Sequence, residues 1–147
     1  MDHETVRTET KNIAIYIVSQ RFKEDSSWQC RLGRYGRIVL HNVIDIYDQN
    51  NQELRDMMKR LNCTTTTCVD CFQSILNKMF ADERCNWGRV LTAYTFVLTL
   101  AIWLEEHGVK QFNEFGGVLG DAINENIASW VREQNGWDRF IKHIYNN

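Results

Sequence analysis

Residues 86–104 read NWGRVLTAYTFVLTLAIWL, and this stretch decides the fold. After Arg89 come fifteen residues without a charge, and their apolar side chains lie on all sides of the helix they would form rather than on one stripe. Such a helix has to be enclosed by other helices. A transmembrane span needs about 20 apolar residues, and charged residues close this stretch at both ends. We therefore predict a buried central helix over residues 87–104 and no constitutive membrane span.

Composition favours one all-α domain covering residues 1–147. The chain has no proline and only eight glycines, so it lacks both the strongest helix breakers and the turn residues that an all-β fold needs. Its net charge of −2 gives no reason to expect a nucleic-acid partner. The polar, acidic start MDHETVRTET predicts no signal peptide, and the five cysteines, an odd number, suggest reduced thiols in the cytoplasm rather than a disulfide framework.

Helical periodicity extends over most of the remaining chain. Together with a short turn ended by Asn135 and Gly136, which both tolerate the left-handed conformation, these segments predict a bundle of about eight helices around a central hydrophobic helical hairpin. The predicted outer helices are residues 5–23, 32–48, 53–61, 68–81, 110–131 and 137–145.

The first turn of the central helix contains two locally unfavourable residues. Asn86 is a good N-cap, but Arg89 faces the positive end of the helix dipole, at a cost of about 0.3 to 1 kcal/mol. Gly88 costs up to about 1 kcal/mol relative to alanine. A surface ion pair and close helix packing would explain the two residues structurally, whereas their adjacency indicates a binding site.

Three motifs carry a family resemblance. NWGR before a hydrophobic helix resembles the first homology motif of the B-cell lymphoma 2 (Bcl) family of apoptosis regulators, and WVREQNGWDRF at residues 130–140 resembles the second. Leu40, Ile44 and Asp45 resemble the third motif, with Ile44 in place of its glycine. The short link between the first two helices and this diverged motif most resemble the compact pro-survival homologues of large DNA viruses, of the poxvirus or iridovirus type.

The resemblance implies a Bcl-type bundle whose surface groove binds the amphipathic helix of a death-promoting partner. Arg89 would pair with the invariant aspartate of that helix, Asn86 would hydrogen-bond near it, and Gly88 would leave room for a small ligand residue. The groove floor and walls would come from Thr92 and Phe96, from Ile75 and Met79, and from Tyr47, with Lys78 at a wall position that affects partner choice. For the apolar members of this set, ordinary core packing is the alternative.

The resemblance also implies a function. We expect a non-enzymatic pro-survival protein without cofactor or metal. It would sequester Bim-like ligands and Bax- or Bak-like effectors. It would act at the mitochondrial outer membrane of the host cell, which is an infected cell if the protein is viral. The alternatives are a pore-forming death effector with the same fold and a signalling adaptor that has lost this binding. We expect no membrane anchor in this chain, although it could still contact a membrane, and homodimerisation is worth testing. The four scattered histidines offer no recognisable catalytic arrangement.

Overall fold

Six α-helices, and no strands, make up the part of the chain that the computed structural model describes: residues 2–22, 29–109 and 115–145, without the side chains of residues 22 and 29–34. The predicted all-α class is confirmed. The helices are α1 (His3–Phe22), α2 (Gln29–Arg60), α3 (Cys68–Met79), α4 (Trp87–Glu106), α5 (Phe115–Glu133) and α6 (Trp137–Tyr145).

The prediction of about eight helices was wrong, because two predicted breaks do not end a helix. The segments 32–48 and 53–61 belong to one helix, α2, which is kinked where Asn50 leaves helical geometry at φ −129° and ψ 16°. The Asn50 side-chain amide donates to the Ile46 carbonyl at 2.8 Å, and neither glycine nor proline stops the helix there. The turn expected before residue 135 is the end of α5. The predicted start of that helix, residues 110–114, lies outside the described residues.

Helix α4 forms the centre of the core, as its composition predicts. Thirteen of its residues are buried, whereas the face that carries Thr92, Phe96 and Trp103 is exposed or half-buried. Within the described ranges α4 is also the one helix long and apolar enough to cross a membrane by length and composition, with 67% of its apolar window buried inside the bundle. The surrounding helices thus supply the apolar environment that this segment requires.

An aromatic cluster joins the start of α4 to the last two helices. Trp87 packs edge-on against Trp130 of α5, with ring centroids 4.8 Å apart, and lies 5.6 Å from Trp137 of α6. The Trp137 indole N–H donates to the Thr10 hydroxyl of α1 at 3.0 Å, so this buried ring also has its polar atom satisfied. The cluster therefore fixes the position of the NWGR turn relative to the rest of the bundle.

Close packing of α5 on α1 depends on glycine. A Cβ atom at Gly120 would lie 2.8 Å from the Lys11 carbonyl oxygen, and one at Gly116 would lie 2.8 Å from the Ile15 Cα. These two glycines let the helix backbones approach directly. After α5, Asn135 (φ 69°) and Gly136 (φ 90°) adopt the predicted left-handed conformation and turn the chain into α6.

Candidate functional site

The NWGR turn caps α4 as its sequence predicts. Asn86 has an extended backbone, with φ −156° and ψ 172°, and its side-chain oxygen accepts a hydrogen bond from the Arg89 backbone N–H at 2.9 Å. This bond satisfies one of the free N–H groups of the first helical turn. It also fixes Asn86 and Arg89 in one rigid turn at the protein surface.

The Arg89 side chain forms an ion pair with Asp82, in the connection between α3 and α4. Nη1 and Nη2 of the guanidinium donate to the two Asp82 carboxylate oxygens at 2.6 and 2.8 Å. Nη1 also lies 3.1 Å from the Met79 carbonyl oxygen and 2.8 Å from that of Arg84. The ion pair considered from sequence is therefore present, and it compensates for the unfavourable position of a cation at the helix N-terminus.

This pair is well defined but close to solvent. The side chain of Arg89 is 31% exposed and that of Asp82 is 46% exposed. Hydrogen bonds from Arg89, and then from the Arg84 backbone N–H, hold the pKa of the Asp82 carboxyl well below its usual range, and the bond to Asp82 raises the pKa of Arg89. Both groups are therefore charged at neutral pH, within reach of a charged group from another molecule.

Gly88 has no neighbouring helix to accommodate. A Cβ atom at this position would meet only the Asn86 side-chain oxygen, at 3.1 Å, and otherwise open space. Packing within the bundle, the structural explanation considered from sequence, therefore does not account for this glycine. Its exposed backbone instead offers a place where another chain can approach closely.

An apolar groove runs between α2 and α4 on the side where Thr92 and Phe96 emerge. We call this cavity of about 380 Å³ the α2–α4 groove. Phe96 is half-buried in its floor, and the exposed Thr92 donates its hydroxyl to the Gly88 carbonyl at 2.9 Å, linking the groove to the NWGR turn. The residues lining the α2–α4 groove are Ile46, Asn50, Glu53, Leu54, Met57, Arg60, Thr92, Thr95 and Phe96.

The predicted α3 wall lies beside this groove. Ile75 is half-buried and shares with Met57 and Phe96 a cavity of only about 10 Å³, so side chains from α2, α3 and α4 nearly fill the space between these helices there. Met79 is half-buried in the last turn of α3, where its carbonyl accepts from Arg89, and the neighbouring Lys78 is exposed. The three wall residues thus follow α3 from the groove to the Arg89 pair.

The structure places Tyr47 on another face of α2. It is 9% exposed and lines two cavities outside the α2–α4 groove, one of about 410 Å³ with Trp103 and one of about 290 Å³ with Ile44. The preceding residue, Ile46, takes the groove position instead. Successive helical residues are about 100° apart, so Ile46 and Tyr47 face different sides of α2, and the wall role of Tyr47 stays a prediction.

Sequence reasoning also missed Leu54, Met57 and Asp82. The first two continue the Ile46 face beyond the kink at Asn50, at a spacing that a single long helix would have revealed. Asp82 had no comparable signal, because its approach to Arg89 depends on a loop in which Glu83 adopts a left-handed φ of 59°.

The cysteines do not form a metal centre in the described part of the chain, where no group of three histidine, cysteine or acidic residues could hold an ion. Cys63, Cys68, Cys71 and Cys85 are free thiols. Burial raises the pKa of Cys63 to about 12 and that of Cys85 to about 11, so both thiols are protonated at neutral pH.

Comparison with known proteins identifies the family. Residues 40–137, which include α3 and α4 with the NWGR turn, match the family model described as apoptosis regulator proteins, Bcl-2 family. This chain belongs to the Bcl-2 family.

Two curated Bcl-2 relatives each align with about two thirds of this chain. Bcl-2-like protein 1 from Sus scrofa is 26% identical over 93 residues, 63% of this chain and 40% of that protein. Apoptosis regulator BAX from Bos taurus is 27% identical over 98 residues, 65% of this chain and 49% of that protein. The aligned region thus spans less than half the length of either relative.

Solved structures extend the match to the whole Bcl-2 fold. The zebrafish pro-survival protein NRZ superimposes with a TM-score of 0.80 at 20% identity, covering 100% of this chain and 98% of NRZ. NRZ in complex with Bad BH3 gives a TM-score of 0.79 at 20% identity, covering 97% of this chain and 96% of that chain. At this identity the likeness concerns the fold alone.

Proposed function

We propose that this Bcl-2 family chain is a pro-survival protein that binds and sequesters amphipathic helices of its pro-apoptotic relatives. We call these helices, which carry apolar anchors and an aspartate, death-motif helices. The relatives would be both Bim-like ligands and Bax- or Bak-like effectors. The observation that carries the proposal is the arrangement of Arg89 and Gly88 beside the α2–α4 groove. An accessible guanidinium and an open glycine backbone adjoin an apolar cavity, which is the combination that an amphipathic helix carrying a carboxylate requires.

The ligand helix would use the groove and the NWGR turn together. Its apolar anchors, spaced at three or four residues, would contact Phe96, Leu54 and Met57, and its aspartate would reach Arg89. A small ligand residue would pass over Gly88. Four buried anchors at about 1.5 to 3 kcal/mol each would support nanomolar to micromolar affinity after the costs of association and ligand folding.

Binding would widen the groove near Ile75. The cavity of about 10 Å³ that Ile75 shares with Met57 is too small for an aliphatic side chain of a ligand. The adjoining α2–α4 groove, at about 380 Å³, is large enough for one without any movement. We expect the part of α2 beyond Asn50 to move away from α3 when a ligand binds, with the kink as the hinge.

Exposed Ile44 supports the receptor role over a ligand role. The third-motif segment of a death ligand needs a small residue for close approach, whereas here a branched side chain, 41% exposed, occupies that position. Val43 and Tyr47 on the same helix are buried in the core, which keeps this segment within the bundle. The small number of residues between α1 and α2 also fits the viral homologues. We place the protein in the cytoplasm, where it acts at the mitochondrial outer membrane of the host cell.

A pore-forming effector is the second candidate. The apolar length of α4 and the match to BAX favour it, because a helix that meets the criteria for a membrane span is what insertion would use.

Peptide titration with a parallel liposome assay distinguishes the two functions. Death-motif peptides are titrated into the purified protein by calorimetry, and leakage of dye-loaded liposomes containing cardiolipin is followed at the same concentrations. Tight binding without leakage is the expected result. Leakage triggered by peptide would select the effector, and absence of binding to any peptide would overturn the groove assignment.

A further inference from the structure

The Arg89 guanidinium is already bound by a carboxylate of its own chain. Both oxygens of Asp82 accept from it, at 2.6 and 2.8 Å, in the two-pronged geometry that arginine offers to carboxylates. The Met79 and Arg84 carbonyl oxygens accept from Nη1 in addition. The edge of the guanidinium formed by Nη1 and Nη2 therefore already donates its hydrogen bonds to acceptors of the same chain before any partner binds.

The loop between α3 and α4 holds Asp82 in this position. Asp82 lies seven residues before Arg89, and the left-handed turn at Glu83 folds the chain back towards α4. The Arg84 backbone N–H donates at 3.1 Å to the Asp82 oxygen that also accepts from Nη1 of Arg89. Asp82 is therefore oriented by its own loop rather than placed by chance contact.

The pair is strong in geometry but accessible enough to be displaced. Because both side chains are partly exposed, solvent screens their attraction and reduces the net cost of separating them. An incoming carboxylate nevertheless meets a guanidinium whose positive charge is already balanced by the carboxylate of Asp82. Electrostatics therefore opposes the same ligand group that Arg89 would otherwise attract.

We propose that Asp82 is a built-in competitor that occupies the position of the ligand carboxylate on Arg89 and sets the affinity threshold of the groove. The inference rests on the proposed function for the identity of its ligand, an amphipathic helix bearing an aspartate. Helices with strong apolar anchors overcome the competition, whereas a helix that depends mainly on its carboxylate binds poorly.

The test compares Asp82→Asn with Glu83→Gln, which removes one negative charge from the neighbouring residue without touching the guanidinium. In the first arm, acetate is titrated into each protein at low ionic strength while NMR follows the Arg89 Nε–H resonance. This arm needs no death-motif ligand. In the second arm, a death-motif peptide and its aspartate-to-alanine version are titrated into the same proteins by calorimetry.

We expect acetate to shift the Arg89 resonance at lower concentration in Asp82→Asn than in the wild type or Glu83→Gln. We also expect Asp82→Asn to bind the peptide about 2- to 5-fold more tightly, and the peptide aspartate to matter more in that variant. Unchanged acetate response and peptide affinity, or weaker peptide binding by Asp82→Asn, would overturn the proposal and make Asp82 a positioning residue. If Asp82→Asn responds to acetate at lower concentration but none of the three proteins binds the peptide, Asp82 does compete with carboxylates for Arg89, and the proposed ligand is refuted.

Discussion

Replacing Gly88 by alanine should separate ligand binding from folding. The added Cβ would meet only the Asn86 side-chain oxygen at 3.1 Å, which requires an adjustment of a few tenths of an ångström. Alanine also gains up to about 1 kcal/mol in helix propensity. We expect the free energy of unfolding to change by less than about 1 kcal/mol in either direction, because the gain and the tight contact oppose each other.

Ligand affinity should respond much more strongly. If a ligand helix crosses the Gly88 backbone, the extra methyl group creates an overpacked contact at a cost of about 1 to 3 kcal/mol. This corresponds to about 5- to 150-fold weaker binding of a death-motif peptide. Calorimetric titration measures the affinity, and urea denaturation followed by circular dichroism measures the stability of the same preparation.

Gly120→Ala is the matched control, because it adds the same methyl group where the bundle has no room. Its Cβ would lie 2.8 Å from the Lys11 carbonyl oxygen, so α1 and α5 must separate, and we expect a net loss of stability of about 1 to 3 kcal/mol. The reasoning is refuted if Gly88→Ala loses as much stability as Gly120→Ala, or if it retains wild-type peptide affinity.

Three further changes test individual contacts. Trp137→Phe should destabilise the fold by about 1 to 3 kcal/mol in urea denaturation, because the buried Thr10 hydroxyl loses its indole donor, and wild-type stability would contradict that hydrogen bond. Asn86→Ala should cost about 0.5 to 2 kcal/mol through loss of the α4 cap, whereas Asn86→Asp should retain most of that stability in thermal denaturation; equal losses would contradict capping. Burial, followed by the charge of Asp138, raises the pKa of Glu9, so the folded state favours its protonated form and stability is lost as pH rises from the unfolded pKa through the folded one. Glu9→Gln should therefore raise the melting temperature at pH 7 more than at pH 4, and a pH-independent effect would contradict this assignment.

Short sequence signals correctly predicted the central helix, its N-cap and one helix-ending turn. The uncharged stretch after Arg89 predicted α4, Asn86 predicted its cap, and Asn135 with Gly136 predicted the turn into α6; each is present in the structure. Such features depend on interactions within a few residues, so they can be read directly from the sequence.

Features that depend on tertiary packing could not be predicted in the same way. Residues 49–51 (QNN), between the predicted helices 32–48 and 53–61, look like a break. Helix α2 nevertheless continues through a kink at Asn50, because no residue there forces the helix to end. Whether Ile46 or Tyr47 faces the groove depends on the rotation of α2 against α4. The contact between Asp82 and Arg89 depends on the path of a loop, for which hydrophobic periodicity carries no information.

A four-way calorimetric titration tests the central claim most directly. Wild type and Arg89→Ala are each titrated with a death-motif peptide and with the same peptide carrying alanine in place of its aspartate. We predict that the wild type binds the unmodified peptide with nanomolar to micromolar affinity. Arg89→Ala should bind the same peptide at least about tenfold more weakly. Loss of the peptide aspartate should cost nothing further in that variant. Equal binding by wild type and Arg89→Ala, or losses that simply add, would contradict the assignment of Arg89 as the partner of the ligand carboxylate.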